Sequence, residues 1–270
     1  MKQYKFGVIG AGNMGMAITE GAVRAGFFTP QQVLLFNRSE EKRAKNAAAG
    51  YAVTGDYTEV YQNCDTVVLG VKPQNFDELL PVLAANTPEE KPLLLSIAAG
   101  VTFAKMEKAL GADTAIIRIM PNTPLMIGEG ASALVKNAAA EDGQLDFAVK
   151  LFGTMGVTAV FAGEQMLNEV IPYNGSFPAY VYAFADAMVQ SAEQHGIGER
   201  QALELVCQTM IGSAKMLLAG GKSPAGLIRA VCSPGGTTLE AMNVIETRGL
   251  AGILAEASDK CIARAYELGK

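Results

Sequence analysis

Charge, histidine and closely spaced cysteine are what this chain of 270 residues has little of. Only 18% of its residues are charged, and 22 basic against 27 acidic groups leave a net charge of −5. A broad basic face for a nucleic-acid backbone is therefore not expected. There is one histidine, His195, and the four cysteines (Cys64, Cys207, Cys232, Cys261) stand far apart with no C-x-x-C spacing. Those absences argue against a structural zinc site and a disulfide framework, and they fit a reducing cytosol. The most apolar long stretch, residues 175–192, contains Pro178, Asp186 and Gln190 and makes a poor membrane span. Met1-Lys2-Gln3-Tyr4-Lys5 runs straight into a strand-like Phe6-Gly7-Val8-Ile9-Gly10, without the apolar segment of a signal peptide. The expectation is a soluble cytoplasmic protein with no metal, nucleic-acid or membrane partner.

What is present is apolar bulk. Half of the residues (50%) are hydrophobic, too many for a disordered chain and enough for a sizeable core. At about 150 residues per domain, this length predicts two domains. Short apolar runs at 6–9, 33–36, 66–71, 93–98 and 115–120 alternate with amphipathic stretches. Runs of that kind suit strands buried on both faces of a parallel sheet. Between the first two, Met14, Ile18 and Ala22 recur at helical spacing, and Gly26 supplies a stop. Residues 73–85 and 103–110 read as later helices of the same series. After Ala162-Gly163 the strand-like runs end; 178–194, 199–219 and 250–268 read as helices, with Ser223-Pro224 as N-cap and first-turn proline of another. The fold class expected is α/β: a Rossmann-type doubly wound sheet over 1–163, then an all-helical domain over 164–270.

Gly10-Ala11-Gly12-Asn13-Met14-Gly15 is a G-x-G-x-x-G between the first strand and the first helix. Its first glycine permits a tight turn, its second lets backbone approach a pyrophosphate, and its third lets helix and strand pack closely. The helix head then offers free N–H groups to the phosphates. An NAD site usually carries a carboxylate at the end of the second strand; here Asn37 stands 22 residues past Gly15, followed by Arg38 and Ser39. No carboxylate repels a 2′-phosphate, Arg38 can pair with one, and Ser39 can donate to it. NADPH is therefore expected over NADH; the competing reading is that Ser39 only caps the next helix and Arg38 is solvated. Val71-Lys72-Pro73 and Ala98-Ala99-Gly100 follow later strands, at the sheet edge where doubly wound folds bind ligands. Ordinary turns account for either one alone. Met120-Pro121-Asn122-Thr123-Pro124 is more specific, since two prolines fix a polar corner.

A second site reads out of Ser233-Pro234-Gly235-Gly236-Thr237-Thr238-Leu239-Glu240. Thr237 and Glu240 have capping-box spacing, and two glycines ahead leave N–H groups open to a small anion. A well-capped helix start and nothing more is the competing reading. His195-Gly196 closes a helix, where a C-cap role outweighs catalysis. Two-domain dehydrogenases of β-hydroxyacids carry a lysine acid on the helix opening their second domain, but residues 174–184 hold none and the next is Lys215. A substrate that arrives protonated, such as an iminium, needs no strong acid. C=N reduction fits that absence, while Tyr180, Tyr182 and Asp186 keep other chemistry open.

Taken in order, Gly10–Gly15, Asn37-Arg38-Ser39, Val71-Lys72-Pro73, Ala98-Ala99-Gly100, Arg118–Pro124 and Ser233–Thr238 resemble the pyrroline-5-carboxylate reductase family over essentially the whole chain. The resemblance implies NAD(P)H-dependent reduction of a cyclic imine to L-proline, the last step of proline biosynthesis, in a homodimer or larger ring. It implies that backbone at Gly236, Thr237 and Thr238 holds the substrate carboxylate, with the Thr238 hydroxyl as catalytic group at the ring nitrogen. Glu164 joins the substrate-binding set. The cofactor set is Gly10 to Gly15, Asn37 to Ser39, Val71 to Pro73, Ala98 to Gly100, Pro121 and Asn122. Two departures stand out: Phe177 where the family has glycine, and Arg229-Ala230 where it often has an acidic residue. The alternatives are a reductase of another cyclic imine or small oxoacid, and a non-catalytic NADP-sensing module.

Overall fold

The computed structural model describes residues 2–268. Its sheet is built from β1 (Tyr4–Ile9), β2 (Val33–Phe36), β3 (Ala52–Thr54), β4 (Cys64–Leu69), β5 (Leu93–Ser96), β6 (Ile116–Met120), β7 (Gly130–Lys136) and β8 (Gly156–Val160). The order across it is β3-β2-β1-β4-β5-β6-β7-β8. The first six pair in parallel, β7 runs antiparallel to β6, and β8 is parallel to β7. This is the expected doubly wound sheet, and its order reverses between β1 and β4.

Successive strand residues explain the apolar runs. Val8 and Ile9, Val67 and Val68, and Leu94 and Leu95 send side chains to opposite faces, and all six are buried. The runs at 6–9, 33–36, 66–71, 93–98 and 115–120 correspond to β1, β2, β4, β5 and β6. Three strands had no such signal. β3 has three residues, β7 begins Gly-Ala-Ser-Ala, and β8 leaves Val157 and Val160 exposed.

The helices around the sheet are α1 (Asn13–Arg24), α2 (Glu40–Ala48), α3 (Tyr57–Asn63), α4 (Phe76–Ala85), α5 (Phe103–Leu110), α6 (Asp142–Gly153) and α7 (Met166–Glu169). Ile18 and Ala22 of α1 are fully buried in one cluster with Val8, Leu35 and Phe152. Burying a side chain such as Ile18 is worth about 1.5–3 kcal/mol. The expected helix at 73–85 begins as a 3₁₀ turn at Pro73–Asn75 before α4.

The chain forms two compact units. One holds the sheet, runs to Ser176 and takes back Cys261 onward, so residues 164–176 pack in it; the other is Phe177–Lys260. α8 (Phe177–Gln194), α9 (Glu199–Leu218), α10 (Pro224–Val231) and α11 (Thr237–Thr247) lie in the second, and α12 (Leu250–Leu268) starts there and ends in the first. As expected, Ser223 caps α10: its Oγ accepts from the Gly226 N–H at 3.2 Å, with Pro224 in the first turn. Among residues 177–260 the buried apolar side chains are Ala185, Val189 and Ala202 alone, while Phe184, Leu205, Met216, Val244 and Ile253 are exposed. Among the described residues, no helix is long and apolar enough to cross a membrane.

Candidate active site

The three glycines after β1 differ in what surrounds them. Gly10 has φ +98, and a Cβ there would lie 2.7 Å from the Gly70 carbonyl carbon and the Val71 nitrogen. A Cβ on Gly15 would lie 2.6 Å from the Gly10 oxygen, so this glycine lets α1 pack on the loop. At Gly12 nothing lies within 4 Å. Gly12 is also the N-cap of α1, with no side-chain cap and no acidic residue in the first turn. The head of α1 is thus an open, positively polarised cradle at the switch point of the sheet, which fits a pyrophosphate.

Beyond β2 the structure sorts the expected contacts. Asn37 is buried; its Nδ2 donates to the Ala11 carbonyl at 2.8 Å and its Oδ1 accepts from Asn46 at 2.9 Å. Its side chain shapes the glycine loop and is held by protein partners in a buried position. Ser39 Oγ accepts from the Lys42 N–H at 3.4 Å and caps α2, leaving its hydroxyl hydrogen available. Arg38 points its guanidinium into solvent, 3.8 Å from Glu78. Of the three residues, it alone presents charge to a 2′-phosphate.

The next two turns meet. Pro73, Ala99 and Gly100 line a cavity of about 250 Å³ with Gln74, Val101 and Leu268, at the carboxyl ends of neighbouring strands β4 and β5. After β6 the Pro121–Asn122 corner is tightly held. Asn122 Oδ1 accepts from the Ala131 N–H at 2.9 Å, and its Nδ2 donates to the Asn174 carbonyl at 3.3 Å. Asn122 is 9% exposed, so its side chain serves these two protein partners.

Glu164 is engaged inside the sheet unit. Its Oε1 accepts from Arg118 Nη1 at 2.6 Å and from the Phe103 N–H at 2.5 Å. Arg118 is only 3% exposed, and its Nε has no partner. Burial lowers the Arg118 pKa, and the Glu164 carboxylate works against that fall. A substrate contact from Glu164 would therefore use Oε2.

In the helical unit, Gly235 (φ +70) turns the chain into α11, and a Cβ on Gly236 would meet Ser233 Oγ at 2.6 Å. The expected capping box is not formed: Gly236 is the N-cap and no side chain caps the helix. Thr237 is already the first helical residue, so Glu240 stands one position too late to close a box with the cap. The Gly236 N–H is taken by the Ser233 carbonyl at 2.9 Å. That leaves the N–H groups of Thr237 and Thr238 at the open helix head. Thr238 is half-buried and lines a cavity of about 460 Å³ with Met216, Leu217, Ile228, Val231 and Met242. His195 belongs to the turn that closes α8, its N–H donating to the Ala192 carbonyl, with Gly196 at φ +78 beside it.

Asn174, Arg118 and Asn46 are residues to which the sequence reading gave no role. Only Arg118 carried a signal: a charge inside the doubly buried run Ile116-Ile117-Arg118-Ile119-Met120 requires a counter-ion.

Comparison with known proteins shows what the chain as a whole is similar to. Residues 164–268 match the family described as pyrroline-5-carboxylate reductase dimerisation, and residues 5–100 match the family described as NADP oxidoreductase, coenzyme F420-dependent. The pyrroline-5-carboxylate reductase of Escherichia coli is 37% identical over 267 residues, 98% of each chain. That of Methanosarcina acetivorans is 36% identical over 273 residues and the full length of both. A solved structure of a pyrroline-5-carboxylate reductase from Coxiella burnetii superposes with a TM-score of 0.91, at 33% identity and 99% of both chains. With the identity spread across both units and the fold matched end to end, the chain belongs to the pyrroline-5-carboxylate reductase family.

Proposed function

We propose that this protein is an NADP-dependent oxidoreductase that reduces the C=N bond of 1-pyrroline-5-carboxylate to give L-proline, the last step of proline biosynthesis. The observation that carries the reading is the uncapped head of α11, an anion site with a hydroxyl beside it, in a chain with no histidine or lysine placed as an acid. NADPH, when bound, supplies the hydride and leaves as NADP⁺; NADH would serve less well. The open backbone at Gly12 and the head of α1, with Ala11, Asn13 and Met14, holds the pyrophosphate, and Gly10 and Gly15 shape that loop. Arg38 and the Ser39 hydroxyl take the 2′-phosphate, while Asn37 acts through Ala11. Val71, Lys72, Pro73, Ala98, Ala99, Gly100, Pro121 and the Asn122 backbone line the rest of the cofactor path along the sheet edge.

The substrate carboxylate is held by the Thr237 and Thr238 N–H groups, with Gly236 forming the turn that aims them. The Thr238 hydroxyl orients the ring nitrogen, and Glu164 Oε2 is a further substrate contact. Because the iminium arrives charged, hydride addition at carbon sends the C=N electron pair to nitrogen and cancels that charge. No group of this chain has to give up a proton at that step. Residues 1–163 hold the cofactor; residues 164–270 hold the substrate and join a second copy. The apolar surface of the helical unit supports a homodimer or larger homo-oligomer. The protein works in the cytoplasm.

The test is NADPH oxidation with and without pyrroline-5-carboxylate, with proline identified as product. Thr238→Val keeps shape and removes the hydroxyl, and kcat should fall about ten- to a hundred-fold, more than the substrate KM rises. Absence of proline defeats the assignment, and a Thr238→Val enzyme at full rate removes Thr238 from the mechanism.

A further inference from the structure

We infer that Asn174 is a positioning residue for the reduction, acting through the Met120–Asn122 backbone; this rests on the function proposed above. In a doubly wound sheet the second half, here β4 to β6, takes the nicotinamide half of the cofactor. The backbone just after β6 would therefore flank the reacting ring, and what fixes that backbone would fix the hydride donor.

The hydrogen bonds name the fastener. Asn174 Nδ2 donates to the Met120 carbonyl at 2.7 Å and to the Ala131 carbonyl at 3.3 Å, while its Oδ1 accepts from the Gly175 N–H at 2.5 Å. Asn122 answers from the other side, bonding the Ala131 N–H and the Asn174 carbonyl. The two asparagines are 6% and 9% exposed, so neither has water to turn to. Together they clamp the end of β6, the start of β7 and the chain at 174–175 into one knot within the sheet unit. Pro121 and Pro124 contribute no N–H of their own to this corner, so side-chain amides supply the donors. Without Asn174 two buried carbonyls lose a donor and the corner is free to shift. A shift of under an ångström is enough to slow a transfer that depends on near-contact of the reacting carbons.

The experiment uses Asn174→Asp, which keeps the shape but cannot donate when ionised, and Asn174→Ala, which removes the group. Both are assayed as intact enzyme with NADPH and with NADPH deuterated at the transferred position. The expected result is a kcat loss of about tenfold or more with both KM values within about threefold, and a larger deuterium isotope effect on kcat. The isotope effect reports hydride transfer itself, which general loss of folded enzyme does not move. Wild-type kcat in Asn174→Asp, or a kcat loss that tracks the folded fraction with an unchanged isotope effect, overturns the inference. A wild-type enzyme that binds NADPH and makes no proline overturns the inference together with the function beneath it.

Discussion

Alanine at each of the three loop glycines should separate folding from cofactor binding. Gly12 has φ −84 and ψ −163, a conformation open to any residue, and its missing Cβ has nothing within 4 Å. Gly12→Ala therefore costs the fold only the poorer N-cap, about 1 kcal/mol at most. For a chain of this size that lowers Tm by about 2–4 °C. In the proposed cofactor site, the new methyl takes up space meant for the pyrophosphate. Losing one charge-assisted hydrogen bond worth about 1.5–3 kcal/mol weakens NADPH binding about ten- to a hundred-fold. Gly10→Ala is the opposite case. It forces a non-glycine residue to φ +98 with its Cβ 2.7 Å from backbone that cannot move aside. That strain costs about 1–3 kcal/mol before any clash is relieved. Gly15→Ala drives a methyl to 2.6 Å from the Gly10 oxygen and should unseat α1. Fluorescence titration with NADPH and a thermal melt of all three variants provide the assay. A Gly12→Ala protein that binds NADPH like the wild type, or melts as low as Gly10→Ala, would refute the reading of the loop.

Three further outcomes follow from other parts of the structure. Arg38→Ala should raise the KM for NADPH about ten- to a hundred-fold and leave NADH nearly unchanged, since its solvent-facing guanidinium is the proposed partner of the 2′-phosphate; equal losses for both cofactors would count against it. Glu164→Gln leaves the buried Arg118 without its counter-ion and should cost about 3–5 kcal/mol in urea denaturation, much of it recovered by Arg118→Met with Glu164→Leu. A single variant as stable as wild type contradicts this. Burial pushes the Cys64 thiol up to about 12, so the native state keeps its proton at a pH where the unfolded chain has lost it. The stability this contributes is intact below the unfolded thiol's pKa of about 8.5 and falls by about 1.4 kcal/mol per pH unit as pH rises from there towards 12. Cys64→Ala should show a shallower alkaline decline between pH 8 and 10, and an identical slope would remove Cys64 from it.

The strands that the sequence made legible are those buried on both faces, because burial forces consecutive apolar residues. β7 and β8 carried no such pattern, since Gly130 and Gly156 bring their backbones into close approach and small residues suffice there. Local features of the site were equally readable: the glycine loop, the proline corner and the glycine turn before α11 are each set by neighbours in sequence. Long-range partners were not. Asn37 showed that a carboxylate was missing, but not that its amide would be tied to Ala11 and Asn46. Asn174 meets a carbonyl 54 residues away, and Glu164 an arginine 46 away. Neither periodicity nor capping rules register such distances.

The helix heads of this chain differ in how their free N–H groups are answered. Ser39, Asp56, Thr102 and Ser223 each turn a side-chain oxygen onto the N–H groups of α2, α3, α5 and α10. Those donors are satisfied within the protein. α1 and α11 instead begin at glycine with no side-chain cap. α9 also begins at a glycine, but Glu199 follows at once and answers the dipole with its own charge. α11 has its first acid at Glu240, late in the first turn, and α1 has none in its first turn. The strength of each open head therefore runs α1 over α11 over α9. That order is consistent with the proposal that pyrophosphate, the more highly charged anion, is held at the first and a single carboxylate at the second.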